Sequence, residues 1–437
     1  MKLHKTRNLF SIVFFTQIIF RIYLNWPFTE SISTPDSVTY RPSSPGPQTF
    51  PYEGATPLEK LSEVSFVGNS IRPWTINLIY KILQNDFFII LAQNLFSAFA
   101  WTYLAYTLFK ILENKFQKIA AIFVVLGFSL TDFIYSWDKF ILSESLINSF
   151  FILLFSLILN ANNNNYRRQI LSYLLSLYIF ISRPLFGIFI LVYVIILLLN
   201  KKCKIIKLLI FLLSIIYVLN LNLNISETWK SYLGTTRDGM SFSYILNYDN
   251  LHGKQFIDYI KTKNAPNCLT SFQNTPWVTA RSYGSNCPEG LKWLSQNFIS
   301  VYVQYISSPA NFFTYSKDLF QGAFTGLDLR NYYPFYEFKK LFFTSFFTFL
   351  FWNLDFLIIT FYFILYTLFI FLSDKNRVSI ILITLYPTVY LASLAQLFFM
   401  PDEFGRLALP GSIFLNLIPW IYLLILSNKL LLKYKTK

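Results

Sequence analysis

Long apolar segments, separated by short polar ones, run through most of the chain. Each is about 17–25 residues long, the length that a helix needs to cross roughly 30 Å of hydrocarbon. The pattern predicts about ten transmembrane helices. They fall in the residue ranges 8–26, 87–112, 119–137, 146–160, 170–200, 208–224, 342–372, 378–400 and 411–428, with 170–200 broken into two helices at Ser182-Arg183-Pro184.

Two stretches depart from the spanning pattern. Residues 27–72 form a large polar first loop rich in Pro and Ser, and residues 225–340 are mixed in polarity, with a predicted helix at Leu291–Ile306. The sequence therefore predicts an all-α polytopic membrane protein. Its parts are an N-terminal transmembrane module (1–224), a water-facing, partly helical region (225–340) and the last three transmembrane helices (341–437).

Composition agrees with a membrane protein. Hydrophobic residues make up 54% of the chain and charged residues only 14%, too few charges for the surface of a soluble protein of this length. The net charge of +15 does not indicate nucleic-acid binding, because Lys and Arg cluster in short segments between the apolar runs. By the positive-inside rule this distribution places both termini in the cytoplasm.

With that topology, acids and arginines from four separate loops lie on the extracytoplasmic side. Ionisable groups beside lipid are costly unless they pair or line a wet cavity, so their gathering predicts a functional site. The residues are Asp36, Arg72, Asp138, Glu144, Arg183, Asp402, Glu403 and Arg406.

Each of these residues also has a plain structural interpretation. Pro35-Asp36-Ser37 is good turn chemistry, and Tyr40 suits a membrane interface. Glu144 complements the N-terminal dipole of a helix. Arg72 and Arg183 either reach lipid headgroups or bind a phosphate with two parallel hydrogen bonds. Arg406 either pairs with the neighbouring acids or binds a phosphate in the same way.

Other chemistries lack the residues that they need. His4 and His252 are the only histidines and fall on opposite sides, too few for a histidine-based metal site or catalytic triad. No glycine-rich phosphate loop with a following Lys is present in the sequence. Cys268 and Cys287 share the water-facing region. The sequence leaves open whether they form a disulfide or remain two free thiols.

Several short motifs together resemble the GT-C class of integral-membrane glycosyltransferases. The motifs are Asp36-Ser37-Val38-Thr39-Tyr40, Arg72-Pro73-Trp74, Leu142-Ser143-Glu144-Ser145-Leu146, Ser182-Arg183-Pro184 and Glu403-Phe404-Gly405-Arg406. The first resembles the acidic motif of the first outer loop of that class. Many relatives carry two adjacent acids there, whereas Asp36 is followed by Ser37, so the resemblance leaves the use of a metal open.

The resemblance implies an inverting transfer of a sugar from a polyprenyl-phosphate donor to an extracytoplasmic acceptor. Asp36 would be the base and Glu144 a second catalytic or acceptor-orienting carboxylate. The remaining residues would bind substrate: Tyr40, Arg72, Arg183, Glu403 and Arg406. The resemblance fixes no cofactor with certainty, and a divalent cation (Mg²⁺ or Mn²⁺) held by Asp36 and Glu144 is an option.

Two other functions remain open at this stage. A transporter or flippase for lipid-linked saccharides would share the arginines, although it would spread charges through the spans and carry related halves. A polymerase or ligase of surface polysaccharide is the other alternative.

Overall fold

The computed structural model describes residues 2–27, 74–83, 85–141, 143–160, 166–182, 212–213, 215–221, 223–224, 237–248, 250–271, 287–314, 339–352, 356–374, 376–399 and 409–435. Within these ranges the chain is helical and contains no β-strand. The main helices are α1 (Lys2–Asn25), α2 (Trp74–Leu83), α3 (Asp86–Ile111), α4 (Lys115–Ser129), α5 (Asp132–Tyr135), α6 (Ser143–Asn160), α7 (Tyr166–Ser182), α8 (Arg237–Tyr248), α9 (Asn250–Lys261), α10 (Asn267–Thr270), α11 (Pro288–Ile306), α12 (Phe342–Trp352), α13 (Phe356–Leu372), α14 (Arg377–Phe399) and α15 (Leu409–Lys435).

The predicted class, a helical membrane protein, is confirmed. Among the described residues, four helices are long and apolar enough to cross a membrane, and a fifth span results if the bent pair 115–129 and 132–139 is counted as one. The number of ten remains a prediction, because several predicted spans lie partly outside the described ranges. The predicted span 342–372 contains the described helices α12 and α13, and residues 353–355 between them lie outside the described residues.

Helix α3 lies at the centre of the bundle and packs most extensively against α6, α4 and α1. Its buried face includes Trp101, which is among the largest fully buried side chains. Large apolar side chains also cover the outside of the bundle, where a soluble protein would carry polar ones. On α1, for example, Ile12, Phe15 and Ile19 are each at least 60% exposed. This inverted pattern is expected of helices surrounded by lipid.

The two ends of the bundle differ in what they bring together. At one end Asn428 Oδ1 of α15 accepts hydrogen bonds from the amides of Glu113 and Asn114, between α3 and α4. At the other end α1 finishes, α3, α6 and α15 begin, and the 3-10 turn Ser136–Lys139 follows α5. We call this second end the network end, after the hydrogen bonds described below.

A second hydrophobic cluster lies outside the bundle core, in the region predicted to face water. Helices α8, α9, α10 and α11 pack around Phe256, Phe298 and Tyr302. The expected helix at Leu291–Ile306 is confirmed, as α11. Because Tyr390 of α14 packs against both clusters, it joins them.

The structure decides the state of the cysteines that the sequence left open. Cys268 and Cys287 form a disulfide across a Cα–Cα distance of 5.7 Å, which ties the short helix α10 to the start of α11. A Cβ atom on Gly290 would collide with Cys287 Sγ and lie 2.7 Å from Leu269 Cγ. The first turn of α11 therefore needs a glycine where the disulfide crosses it.

Proline 387 interrupts the hydrogen bonds of α14, and a tyrosine from a neighbouring helix compensates. Proline has no N–H, so the carbonyl of Ile383, four residues earlier, loses its helical partner. Tyr366 of α13 donates its hydroxyl to that carbonyl at 3.2 Å. Such replacement partners are what allow proline inside helices in a membrane.

We predict that Tyr366→Phe lowers the free energy of unfolding by about 1 kcal/mol and that Pro387→Ala abolishes this cost, because alanine restores the helical donor. Denaturant unfolding in detergent of the two single variants and the double variant measures the coupling. Tyr422→Phe is a matched control, since its hydroxyl donates at 2.9 Å to Leu382, whose carbonyl keeps its helical donor. Equal costs of Tyr366→Phe in both backgrounds would contradict the compensation.

We also predict that Gly290→Ala prevents closure of the disulfide. Thiol titration of the denatured, unreduced protein should then find three thiols, against one in the wild type, because the sequence holds three cysteines. Ser295→Ala, at an exposed position of the same helix, should leave one thiol. A single thiol in Gly290→Ala would show that α11 accommodates the methyl group.

Candidate functional site

A buried ion pair lies at the network end. The guanidinium of Arg21 on α1 donates to the carboxylate of Asp138 in the 3-10 turn, and both residues are at most 1% exposed. Arg21 also donates to the carbonyl oxygen of Ser129 at 2.7 Å, at the last residue of α4. One side chain of α1 therefore holds both sides of the bend between α4 and α6.

The remaining acceptor capacity of Asp138 is also used. Its second oxygen accepts a hydrogen bond from the hydroxyl of Ser145 in the first turn of α6, at 2.6 Å. Because both carboxylate oxygens have donors, this charge is fully paired away from water, the condition under which a buried charge is tolerated.

Amide side chains fix the backbone around the ion pair. Gln93 of α3 donates to the carbonyls of Asp138 and Phe140 at 3.0 and 2.9 Å, and its own oxygen accepts from the hydroxyl of Tyr80 on α2 at 2.6 Å. Asn25, the last residue of α1, donates to Asn94 at 2.8 Å. The segment 136–140 is therefore held by α1, α2 and α3.

A short hydrogen bond joins α2 to α7 at the same end. The hydroxyls of Thr75 and Ser182 are 2.6 Å apart, and the hydroxyl of Tyr178 donates to the Thr75 carbonyl at 3.2 Å. Thr75 follows the first Arg-Pro motif by two residues, and Ser182 is the first residue of the second. The contact brings together the described flanks of the two Arg-Pro motifs.

Glu144, like Asp138, is a predicted site residue that the structure describes. It lies in the first turn of α6, next to the Ser145 that binds Asp138, and is only 3% exposed. The neighbouring Ser143 hydroxyl donates to Glu144 Oε2 at 3.4 Å. The polar side chains that follow Trp137 are largely buried: Asp138, Ser143, Glu144 and Ser145 are each at most 3% exposed.

The other predicted site residues lie outside the described residues. They are Asp36, Tyr40, Arg72, Arg183, Asp402, Glu403 and Arg406. The described chain on either side of them ends or begins at the network end: α1 ends at Asn25, α2 begins at Trp74, α7 ends at Ser182 and α15 begins at Leu409. Over the described ranges, no three His, Cys, Asp or Glu side chains come close enough to hold a metal ion.

The sequence analysis assigned no role to Arg21 or Gln93. A signal for Arg21 was present, because it stands within an apolar helix where an ionisable residue is costly and therefore needs a partner. The sequence grouped Asp138 with the outer acids, and nothing local distinguished it from Glu144. Only the packing of α1 against the bend selects Asp138 as that partner.

The arrangement separates two chemical roles. Asp138 is closed off by its donors, so it can position the start of α6 but cannot take a proton from a substrate. Glu144 follows it by six residues on that fixed helix end, where a carboxylate can orient a hydroxyl group or accept a proton.

Comparison with known proteins gives no match, whether with family models, with curated proteins or with solved structures.

We predict that Asp138→Asn or Arg21→Met destabilises the protein by about 3–5 kcal/mol, because each leaves the other charge buried and unpaired. The double variant Arg21→Met/Asp138→Leu should be less destabilised than either single variant. Unfolding in detergent measures the three changes. Asp374→Asn, which breaks the exposed pair with Lys429, is the control and should change stability by less than about 1 kcal/mol. Additive losses in the double variant would refute the coupling.

Proposed function

We propose that this protein is a membrane glycosyltransferase that moves a sugar from a polyprenyl-phosphate donor to an extracytoplasmic acceptor, a glycan, lipid or protein. One observation carries the proposal. The described helix ends that flank all the acidic and arginine motifs meet at the network end, where Glu144 is held at a fixed position. An active site assembled from four loops needs that common end.

In the proposed mechanism Asp36 accepts a proton from the acceptor hydroxyl as its oxygen attacks the anomeric carbon. The bond from that carbon to the donor phosphate breaks on the opposite face, so the configuration inverts. Arg183 and Arg406, together with Arg72, stabilise the departing lipid phosphate, whose negative charge grows in the transition state. Glu144 orients the acceptor hydroxyl. No step in this scheme requires a metal ion.

The proposed orientation puts the network end on the extracytoplasmic side. Basic residues gather at the opposite end, at the helix ends that hold Lys115 of α4, Arg167 of α7 and Lys429 of α15, which is the distribution that the positive-inside rule gives to the cytoplasmic side. The disulfide between Cys268 and Cys287 fits the proposed placement of the second cluster in an oxidising compartment.

A flippase or transporter for lipid-linked saccharides is the rival function. Such a protein uses polar groups within its spans at mid-membrane depth. In the described bundle the buried ion pair lies towards the network end, near the last turns of α1, which favours a reaction at the membrane surface over a translocation path. A polysaccharide polymerase or ligase would use the same end, and acceptor choice separates it from a single-sugar transferase.

We predict that Asp36→Asn abolishes sugar transfer in reconstituted membranes, because an amide cannot accept the proton of the attacking hydroxyl. The assay offers a panel of radiolabelled polyprenyl-phosphate sugars to wild type and variant. Asp374→Asn, at the opposite end of the bundle, is the matched control and should transfer sugar like the wild type. Turnover by Asp36→Asn would remove Asp36 from the mechanism. Silence of the wild type across the panel, together with movement of lipid-linked saccharide between leaflets, would favour the rival function.

A further inference from the structure

One face of α6 carries two polar residues and two phenylalanines in register. Glu144, Asn148, Phe151 and Phe155 follow each other at helical spacings of four, three and four residues, so their side chains form one stripe. The stripe faces α15, because the ring centroid of Phe414 lies 6.2 Å from that of Phe151 and 5.2 Å from that of Phe155.

Helices α6 and α15 both begin at the network end and run in the same direction. Asn148 precedes Phe151 by about one helical turn and Glu144 by about two, that is by about 5 and 10 Å towards the network end. Phe414 is five residues, or about 7.5 Å, into α15 and lies nearer Phe155 than Phe151, so Asn148 is about level with Leu409 and Glu144 lies nearer still to the network end. The two polar side chains therefore lie on the face of α6 that meets α15, at the network end of that contact.

Asn148 lacks the partner that a buried amide normally has. It is 5% exposed, and its Oδ1 accepts no hydrogen bond from the described part of the chain. The serines on the adjoining face of the same helix behave differently: Ser145 bonds Asp138, and Ser149 bonds a carbonyl of its own helix. An unpartnered buried acceptor is costly, so it calls for a donor beyond those that the described part of the chain supplies.

We propose that Asn148 and Glu144 bind hydroxyl groups of a saccharide at the network end of the contact between α6 and α15. The identification of the ligand as a saccharide rests on the proposed function. Sugar hydroxyls are donors that satisfy an amide oxygen and a carboxylate at once. Residues four apart on a helix have Cβ atoms about 5–6 Å apart, close enough to bond two hydroxyls of one ring. Asn148 is then a specificity-determining residue. The new glycosidic bond forms beside Asp36, which accepts the proton of the acceptor hydroxyl.

The alternative is that Asn148 is only a packing defect, and Asn148→Leu distinguishes the two. Leucine has a similar shape and no polar atom, so it removes the unsatisfied acceptor and should maintain or raise the melting temperature in either case. If Asn148 binds a hydroxyl, the same change weakens saccharide binding by about fivefold or more. Ser156→Ala is the matched control, since Ser156 bonds only a carbonyl of α6 and lies on the face away from the stripe.

The experiment is isothermal titration of the full-length protein in detergent with a panel of methyl hexosides and pentosides. We expect the glycoside that the wild type binds to bind Asn148→Leu about fivefold or more weakly, and Ser156→Ala as tightly as the wild type. Equal binding by Asn148→Leu, with an unchanged or raised melting temperature, would identify a packing defect. Failure of the wild type to bind any glycoside would also overturn the proposal.

This binding assay contains no lipid donor, so its result is separate from that of the transfer assay. Glycoside binding that depends on Asn148, in a protein that transfers no sugar, would support the saccharide site and count against the transferase. Sugar transfer by the wild type, with an acceptor KM that Asn148→Leu leaves unchanged, would support the transferase and count against the saccharide site at Asn148.

Discussion

The buried ion pair between Arg21 and Asp138 is the interaction on which the network end depends. Two opposite charges lie where neither reaches water, and their cost is offset only because each has further partners in place. Those partners belong to α1, to the end of α4 and to the start of α6. A single contact therefore fixes where three helices meet, and with them the position of Glu144.

The rest of the bundle follows from the same constraint, since polar groups in a membrane must find partners within the protein. Gln93 satisfies carbonyls of the bend, and Tyr366 satisfies the carbonyl that Pro387 leaves free. Apolar side chains can face outward at little cost, so the phenylalanines of α12 and α13 cover the surface. The side-chain oxygens of Asn77, Asn148 and Asn416 have no donor among the described residues, and that of Asn148 is the one on the same stripe of α6 as Glu144.

The second helical cluster is stabilised in another way. Its helices are short, and the disulfide between Cys268 and Cys287 closes a loop that its small hydrophobic core alone would hold less firmly. Closure of the disulfide requires a glycine at position 290, because a Cβ atom there would collide with Cys287 Sγ. The contact of Tyr390 with both clusters ties this unit to α14, and so to the bundle that carries the proposed active site.

The sequence by itself determined the class of protein and most helix positions, because the length of an apolar run is set by the thickness of the bilayer. It predicted α3 and α11 within a few residues. It also singled out Glu144, which the structure buries at the network end. The disulfide and the roles of Arg21, Asp138 and Asn148 were decided by tertiary structure. Which of two acids six residues apart pairs with Arg21, and whether the oxygen of Asn148 finds a donor, depends on contacts between helices distant in sequence, and no local pattern encodes them.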